Sequence, residues 1–240
     1  MAIIQYRQDV NTAAPRLRTP REVWAVAAQL RRQVPGVGAG MQDGFELMAS
    51  VQQVEVNERR IEIHWDGVHE VHDDRGAPVF GVCETDRDNP GAAYVSINGP
   101  LLSDRPDLVL STVAHELGHV IFDVPMGQRH YRDVTQSTVS LLATERICEW
   151  RANEFMGALL VPAFELHRRL LLLASHERLP LARAPHYGRP GCPIVDARYN
   201  PDVLAGVVAA LATHFGVSDS FISMRLQRYG LIIDTREAGR

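Results

Sequence analysis

The sequence lacks the features that mark disulfide-rich, membrane-spanning and nucleic-acid-binding proteins. It has 3 cysteines in 240 residues and no Cys-x-x-Cys pair, which argues against a disulfide framework and against a thiolate zinc site. No apolar run approaches the roughly 20 residues that cross a membrane, and the N-terminus has no signal-peptide core. The formal net charge of -4 gives no bulk attraction to nucleic acid or anionic lipid. We therefore expect a cytoplasmic protein without membrane contact.

The residues that are present suit an ordinary globular protein, with 45% hydrophobic and 22% charged side chains. The length allows one large or two small domains. Apolar, β-prone runs separated by turn-rich pieces predict the strands of a small mixed or antiparallel sheet. These runs lie at 51–56, 60–65, 78–83 and 92–98. Because helical patterns flank them, the predicted fold class is α+β.

Helices are predicted on both sides of these strands. A capping box, Thr19-Pro20-Arg21-Glu22, predicts a helix that ends near Gln33. Apolar periodicity predicts further helices, at about 43–50, 105–122, 136–160, 162–175, 201–215 and 218–229. We interpret residues 1–18 as a loose lead-in, and the Pro- and Arg-containing stretch 176–200 as a loop or linker.

One helix carries the motif His115-Glu116-Leu117-Gly118-His119. Histidines at i and i+4 share a helix face, with Cβ atoms roughly 5–6 Å apart, and can reach one zinc ion at about 2.0–2.1 Å. Glu116 then lies at the flank of that face, where it can serve as a general base toward water. The neighbouring residues are apolar, so the helix is predicted to be buried, where these polar side chains are costly without a metal.

A catalytic zinc site uses three protein ligands and keeps one position open. Glu149 is the charged residue on the core-facing stripe 149, 152, 153, 156 and 160 of the following predicted helix, and we interpret it as the third ligand. The alternatives that stay open for that ligand are Glu145, Asp123 and His130. If Glu149 is not a ligand, it would instead form a buried salt bridge with Arg146 or Arg151.

Further residues are predicted to support this metal site. Asn153, one turn after Glu149, can hydrogen-bond a ligand histidine, and Asp123 is a second candidate for that supporting position. A glycine inside a helix lowers helix stability by about 1 kcal/mol relative to alanine. The presence of Gly118 therefore predicts close contact with a neighbouring element. The small Ala152 would allow the Glu149 helix to make that contact. The predicted cofactor is one Zn²⁺, with Mn²⁺ or another divalent ion as the alternative.

The two motifs together resemble the ImmA/IrrE metallopeptidases. That family has an HELGH-type helix followed by an ExxAN-x-F-A-x-x-LLMP-type helix, which is similar to Glu149-x-x-Ala152-Asn153-x-Phe155 and Leu159-Leu160-Val161-Pro162 here. The segments 95–98 and 215–232 are also similar to family segments. Asp123 stands where many members have His, Val161 replaces a Met, and the N-terminal helix-turn-helix common in the family is absent.

The resemblance implies a zincin-like, gluzincin-like peptidase core over 1–162 and a helical C-terminal segment over 163–240. It also implies a zinc-dependent endopeptidase that cleaves a helix-turn-helix repressor or antitoxin and so derepresses a stress, phage or mobile-element programme. Two alternatives remain: a non-catalytic regulatory or binding module that keeps the fold, and a zincin peptidase with an unrelated substrate.

Two further expectations concern how macromolecules bind. The helices at about 201–229 resemble a helix-turn-helix, but the second has only two arginines, Arg225 and Arg228, which argues against direct DNA binding. The strand at 92–98 directly precedes the motif helix, so we expect it to be a sheet edge on which an extended substrate can add a strand.

Overall fold

The computed structural model contains strands and helices throughout the chain, with four consecutive strands between residues 53 and 97. The structure describes residues 1–7, 17–38, 40–41, 43–86, 88–126, 130–133, 143–186, 189–198 and 200–233. Contacts divide the chain into two units, Met1–Leu160 and Val161–Arg240. The first unit contains, in chain order, β1 (Ala2–Ile4), α1 (Pro20–Arg31), α2 (Gly44–Ser50), β2 (Gln53–Val56), β3 (Arg59–Asp66), β4 (Val79–Thr85), β5 (Ala92–Ile97), α3 (Gly99–Leu102), α4 (Pro106–Phe122), a 3-10 turn (Val124–Met126), β6 (His130–Asp133) and α5 (Ala143–Leu160).

The first unit is built on a six-stranded sheet with the order β1-β2-β3-β5-β4-β6. β1 pairs with β2 and β3 pairs with β5 in parallel, whereas the other pairs are antiparallel. The sheet is therefore mixed, one of the two arrangements expected. β5 lies inside the sheet, hydrogen-bonded to β3 on one side and to β4 on the other. The expectation that the strand before the motif helix is an edge was wrong, because β4 folds back over the outer side of β5.

The N-terminal residues form part of this sheet, so the prediction of a loose lead-in was wrong for residues 2–4. Gln29 in α1 and Gln33, two residues after its end, bind the outer side of β1. Gln33 accepts from Ile3 N at 2.8 Å and donates to Ile3 O at 2.7 Å, and Gln29 makes the same two bonds to Gln5 at 2.8 Å. The predicted capping box is confirmed, since Thr19 and Glu22 bond reciprocally at the start of α1.

The helix α4 passes through the core of the first unit. It begins at Pro106, which suits the first helical turn because its missing N–H has no partner there in any helix. Every residue from Val109 to Phe122 is buried. Helices α2 and α5 and strands β4, β5 and β6 all pack against α4. Because α4 is enclosed in this way, its polar side chains are surrounded by residues of these neighbouring elements and not by solvent.

The second unit contains α6 (Ala163–His176), β7 (Leu181–His186), β8 (Arg189–Asp196), α7 (Pro201–Phe215), α8 (Asp219–Arg228) and β9 (Ile232–Ile233). β7 and β8 form an antiparallel hairpin where a linker was predicted over 176–200, and β9 pairs in parallel with β8. The helices α7 and α8 agree with the predicted pair. In the described part of the chain no single helix is long and apolar enough to cross a membrane; α7 and α8 pass that test only as a pair bent by 102°.

Candidate metal centre

Three metal-ligating side chains converge where α4 and α5 pack together. His115 and His119 lie one turn apart on α4, and Glu149 reaches them from α5. The two Nε2 atoms are 3.1 Å apart, and the Glu149 oxygens lie 3.4 Å from His115 Nε2 and 3.2 Å from His119 Nε2. The histidines are almost fully buried, and Glu149 is 20% exposed, so the cluster opens on the carboxylate side.

These separations fit a single small divalent ion. Donor atoms that bind zinc tetrahedrally at about 2.0–2.1 Å are themselves about 3.3 Å apart. The three measured distances, 3.1, 3.2 and 3.4 Å, lie around that value. Two imidazole nitrogens and one carboxylate oxygen also form a ligand set that zinc uses in catalytic sites. The three side chains therefore form a site that could hold a metal ion.

Asp123 fixes the orientation of one histidine. Its Oδ2 is 2.7 Å from His119 Nδ1, which makes Nδ1 the protonated nitrogen and directs the Nε2 lone pair toward Glu149 and His115. Asp123 thus lies behind the ligand and contacts the nitrogen that faces away from the other two donors. Its second oxygen accepts a hydrogen bond from Arg151 Nη2, and both of these residues are buried.

The charges of the cluster explain how it behaves without a metal. Burial lowers the pKa of His119, but the carboxylate of Glu149 and the hydrogen bond to Asp123 outweigh burial and raise it to about 10. Burial raises the pKa of Glu149, and the charges of His119 and His115 outweigh it and hold this pKa well below its usual range. The metal-free cluster is therefore protonated at neutral pH, and a metal ion has to displace a proton from it.

Glu116 lies on the side of α4 that faces the sheet. Its side chain is 0% exposed. Its carboxylate contacts the position of Gly81 in β4. The pKa of Cys83, also in β4, is raised well above its usual range by burial and then by the charges of Glu116, Asp123 and Glu84. Glu116 is therefore enclosed between the helix and β4, next to the first ligand along the chain.

The predicted close contact between the two ligand helices is confirmed. A Cβ atom built on Gly118 would lie 3.0 Å from Ala152 Cα, 3.3 Å from Ala152 Cβ and 3.3 Å from the ring of Phe155. Few real Cβ atoms have neighbours this close, so the absence of a side chain at 118 allows α5 to approach. That approach brings Glu149, less than one turn before Ala152, to the two histidines.

Other predicted residues lie elsewhere. The side chain of Asn153, expected to hydrogen-bond a ligand histidine, is exposed on α5, and it is Asp123 that binds His119 Nδ1. Glu145, an alternative ligand, is exposed, and Arg151 pairs with Asp123 and not with Glu149. The side chain of His130, another alternative, lies outside the described residues.

The sequence interpretation missed Arg151 as part of the site. It named Arg151 only as a possible salt-bridge partner of Glu149, whereas the structure pairs it with Asp123. The available signal was Asp123 itself, a carboxylate directly after the apolar helix end, for which a buried cation is the expected partner.

Comparison with known proteins agrees with this geometry. The model of the M78 peptidase family, described as the IrrE N-terminal-like domain, matches residues 103–227, just over half of the chain. The matched region contains all three clustered side chains and Glu116. A search of curated proteins found no significant match.

Proposed function

The chain belongs to the M78 peptidase family, and from this premise we propose that it is a zinc-dependent endopeptidase with His115, His119 and Glu149 as ligands and Glu116 as general base. The observation that carries the proposal is the convergence of three side chains: the two Nε2 atoms are 3.1 Å apart, one Glu149 oxygen lies 3.4 Å from His115 Nε2, and the other lies 3.2 Å from His119 Nε2. Glu116 adjoins the first of these residues in the helix. A structural salt bridge would not need two buried histidines whose Nε2 atoms face each other.

Zinc is the proposed metal because of the donor set. Two imidazole nitrogens with one carboxylate oxygen are a donor set that catalytic zinc sites use, whereas magnesium and calcium prefer oxygen alone. Manganese and other divalent ions remain alternatives that metal analysis can distinguish.

The side chains divide the chemistry between them. When bound, the ion would supply a Lewis acid that acidifies water and polarises a peptide carbonyl. His119 would be held in its binding tautomer by Asp123. Glu116 would accept a proton from the attacking water and pass it to the leaving amide nitrogen, which becomes the new amino terminus. Burial of Glu116 supports this role because few waters compete for its carboxylate.

The substrate proposal rests on the family resemblance. We propose that the protein cleaves a helix-turn-helix repressor or antitoxin in the cytoplasm and thereby derepresses a stress, phage or mobile-element programme. A peptidase with an unrelated substrate and a non-catalytic binding module are the competing functions. Retention of the complete ligand set together with Glu116 favours an active peptidase over the binding module.

The experiment compares wild type with Glu116→Gln. We expect both proteins to bind about one zinc ion per chain, and only wild type to cleave a repressor-like protein encoded beside the gene. Glu116→Gln should lose about a hundredfold to ten-thousandfold in rate. Equal cleavage by the two proteins would contradict the mechanism. Cleavage of an unfolded control protein but not of the repressor would contradict the substrate alone.

A further inference from the structure

Strand β4 is irregular next to Glu116. Its register with β6 shifts between Val79 and Gly81. Val79 and Val82 pack in one cluster with Val71, although residues three apart point to opposite faces of a regular strand. The irregularity therefore changes the side-chain alternation just before Gly81. Bulges of this kind often lie beside active sites, where they redirect a side chain.

Asn98 holds this irregular part of β4 in place. Its side-chain amide donates to Val71 O at 3.0 Å and to Val79 O at 2.9 Å, and its backbone N–H donates to Phe80 O at 2.9 Å. Asn98 is itself only 2% exposed. Two of these bonds, to Val79 and Phe80, fix the backbone immediately before Gly81, and the third ties Asn98 to Val71, so that Gly81 has little freedom to move away from α4.

Gly81 lies against the side chain of Glu116. A Cβ atom built on Gly81 would be 3.0 Å from Glu116 Oε1, 3.2 Å from Glu116 Cγ and 2.9 Å from Thr112 Cγ2. The two contacts below or at 3.0 Å are closer than side chains normally pack, so α4 or the side chains of Thr112 and Glu116 would have to move. The space that Glu116 occupies exists because residue 81 has no side chain.

We infer that Gly81, fixed by Asn98, is a positioning residue that sets where the Glu116 carboxylate lies. The inference rests on the proposed function, since that position matters for catalysis only if Glu116 moves the proton. It adds a residue of β4 to a site whose other parts all come from helices. The three atoms closest to a Cβ on residue 81 belong to Thr112 and Glu116, and none belongs to a metal ligand or to Asp123. A change at residue 81 should therefore act on Glu116 and leave the ligands in place.

The first test is the kinetics of Gly81→Ala in the zinc-loaded protein. We expect kcat to fall about a hundredfold because a displacement of about 1 Å at the base has an effect of this size. KM and zinc affinity should remain as in wild type. Gly91→Ala is the matched control, because a Cβ there meets only ordinary contacts at 3.6 and 3.8 Å. Wild-type kcat in Gly81→Ala, or a loss of zinc affinity equal to the loss of kcat, would overturn the inference.

A second variant separates the effect on Glu116 from general packing. Thr112→Ser removes the methyl group that lies 2.9 Å from the added Cβ. If Glu116 is what Gly81 positions, Gly81→Ala/Thr112→Ser should remain as slow as Gly81→Ala. Full recovery of kcat in the double variant would mean that the loss came from packing against Thr112.

A thermal-unfolding cycle on the metal-free protein tests the contact without any cleavage assay. Gly81→Ala should lower Tm by about 5 °C in wild type, as overpacking does, and by less than half as much in the Glu116→Ala background. If Gly81→Ala does not fold alone, restored folding in Gly81→Ala/Glu116→Ala supports the same contact. Equal losses in both backgrounds would overturn it. If wild type cleaves nothing, the proposed function fails and this cycle still decides the contact.

Discussion

The two helices that meet at the metal centre, α4 and α5, differ in how they hold polar residues. In α4 every residue from 109 to 122 is buried and most are apolar, so the two histidines and Glu116 are the only ionisable side chains in that stretch. In α5 the first residues, 143–146, are exposed, and the buried positions include the charged residues Arg151 and Glu154. A polar residue in the first kind of helix indicates a site directly, whereas in the second kind its role depends on a partner elsewhere.

The partners of the buried charges in α5 lie far away in the sequence. Arg151 pairs with Asp123, 28 positions earlier, and Glu154 accepts a hydrogen bond of 2.5 Å from the Trp24 indole, 130 positions earlier. A buried charge without a partner is costly, and a paired one is tolerated. The roles of the polar residues in α4 can therefore be inferred from the sequence of that helix alone. Those of the buried charges in α5 can be inferred only from tertiary contacts.

The largest expected effect is loss of the metal when either helix loses a ligand. His119→Ala in α4 and Glu149→Ala in α5 should each weaken zinc binding at least about a hundredfold, measured by competition with a chelator. The control is Glu145→Ala, an exposed carboxylate one turn earlier on α5, which should bind zinc as wild type does. Full zinc affinity in Glu149→Ala would show that α5 supplies no ligand to the metal centre.

A smaller effect is expected from the buried pair that joins the helices. Asp123→Asn should weaken zinc binding about tenfold, because His119 loses a charged acceptor. Arg151→Met should lower the free energy of unfolding by about 3 kcal/mol, since the buried Asp123 carboxylate loses the guanidinium bonded to its Oδ1.

Denaturant unfolding of the double variant checks that the two residues act together. Asp123→Asn/Arg151→Met should be destabilised by less than the sum of the single changes, as expected for groups in direct contact. Additive losses would show that each residue contributes separately.

The smallest expected effect concerns Asn153, which the sequence pattern favoured as a support for a ligand. Because its side chain is exposed, Asn153→Ala should change the free energy of unfolding by no more than about 0.5 kcal/mol and leave zinc affinity unchanged. A tenfold loss of zinc affinity, about the size expected for a residue that supports a ligand, would assign it that role after all.

The parts of the site that could be predicted are those set by local geometry. Two histidines four residues apart must share a helix face, and Gly118 in an apolar helix had to face another backbone, as its contact with Ala152 confirms. The helix of Glu149 was recognised, but which of its faces is buried was judged from periodicity alone. That judgement placed Asn153 inside and gave Arg151 only Glu149 as a possible partner, because the contact with Asp123, 28 positions earlier, is created by the fold.

The order of the strands could not be predicted in the same way. The four central strands were recognised from composition, but β4 lies between β5 and β6 in the sheet, which depends on tertiary contacts. The β7–β8 hairpin was missed because its prolines, such as Pro185 and Pro193, are typical of loops. Pro185 lies within the register shift between Ala184 and His186, and proline is tolerated at such irregularities of a strand pair.

The two glutamines that bind β1 have a consequence for how copies of this protein meet. An outer strand normally presents free main-chain donors and acceptors that can pair with another chain. Gln29 and Gln33 supply amide groups in the positions where the next strand would supply its own, so Ile3 and Gln5 are already bonded on that side. Association of two molecules through β1 would first have to break four hydrogen bonds. The outer side of β1 is thus shielded from pairing with a second molecule by glutamine side chains that take the place of a neighbouring backbone.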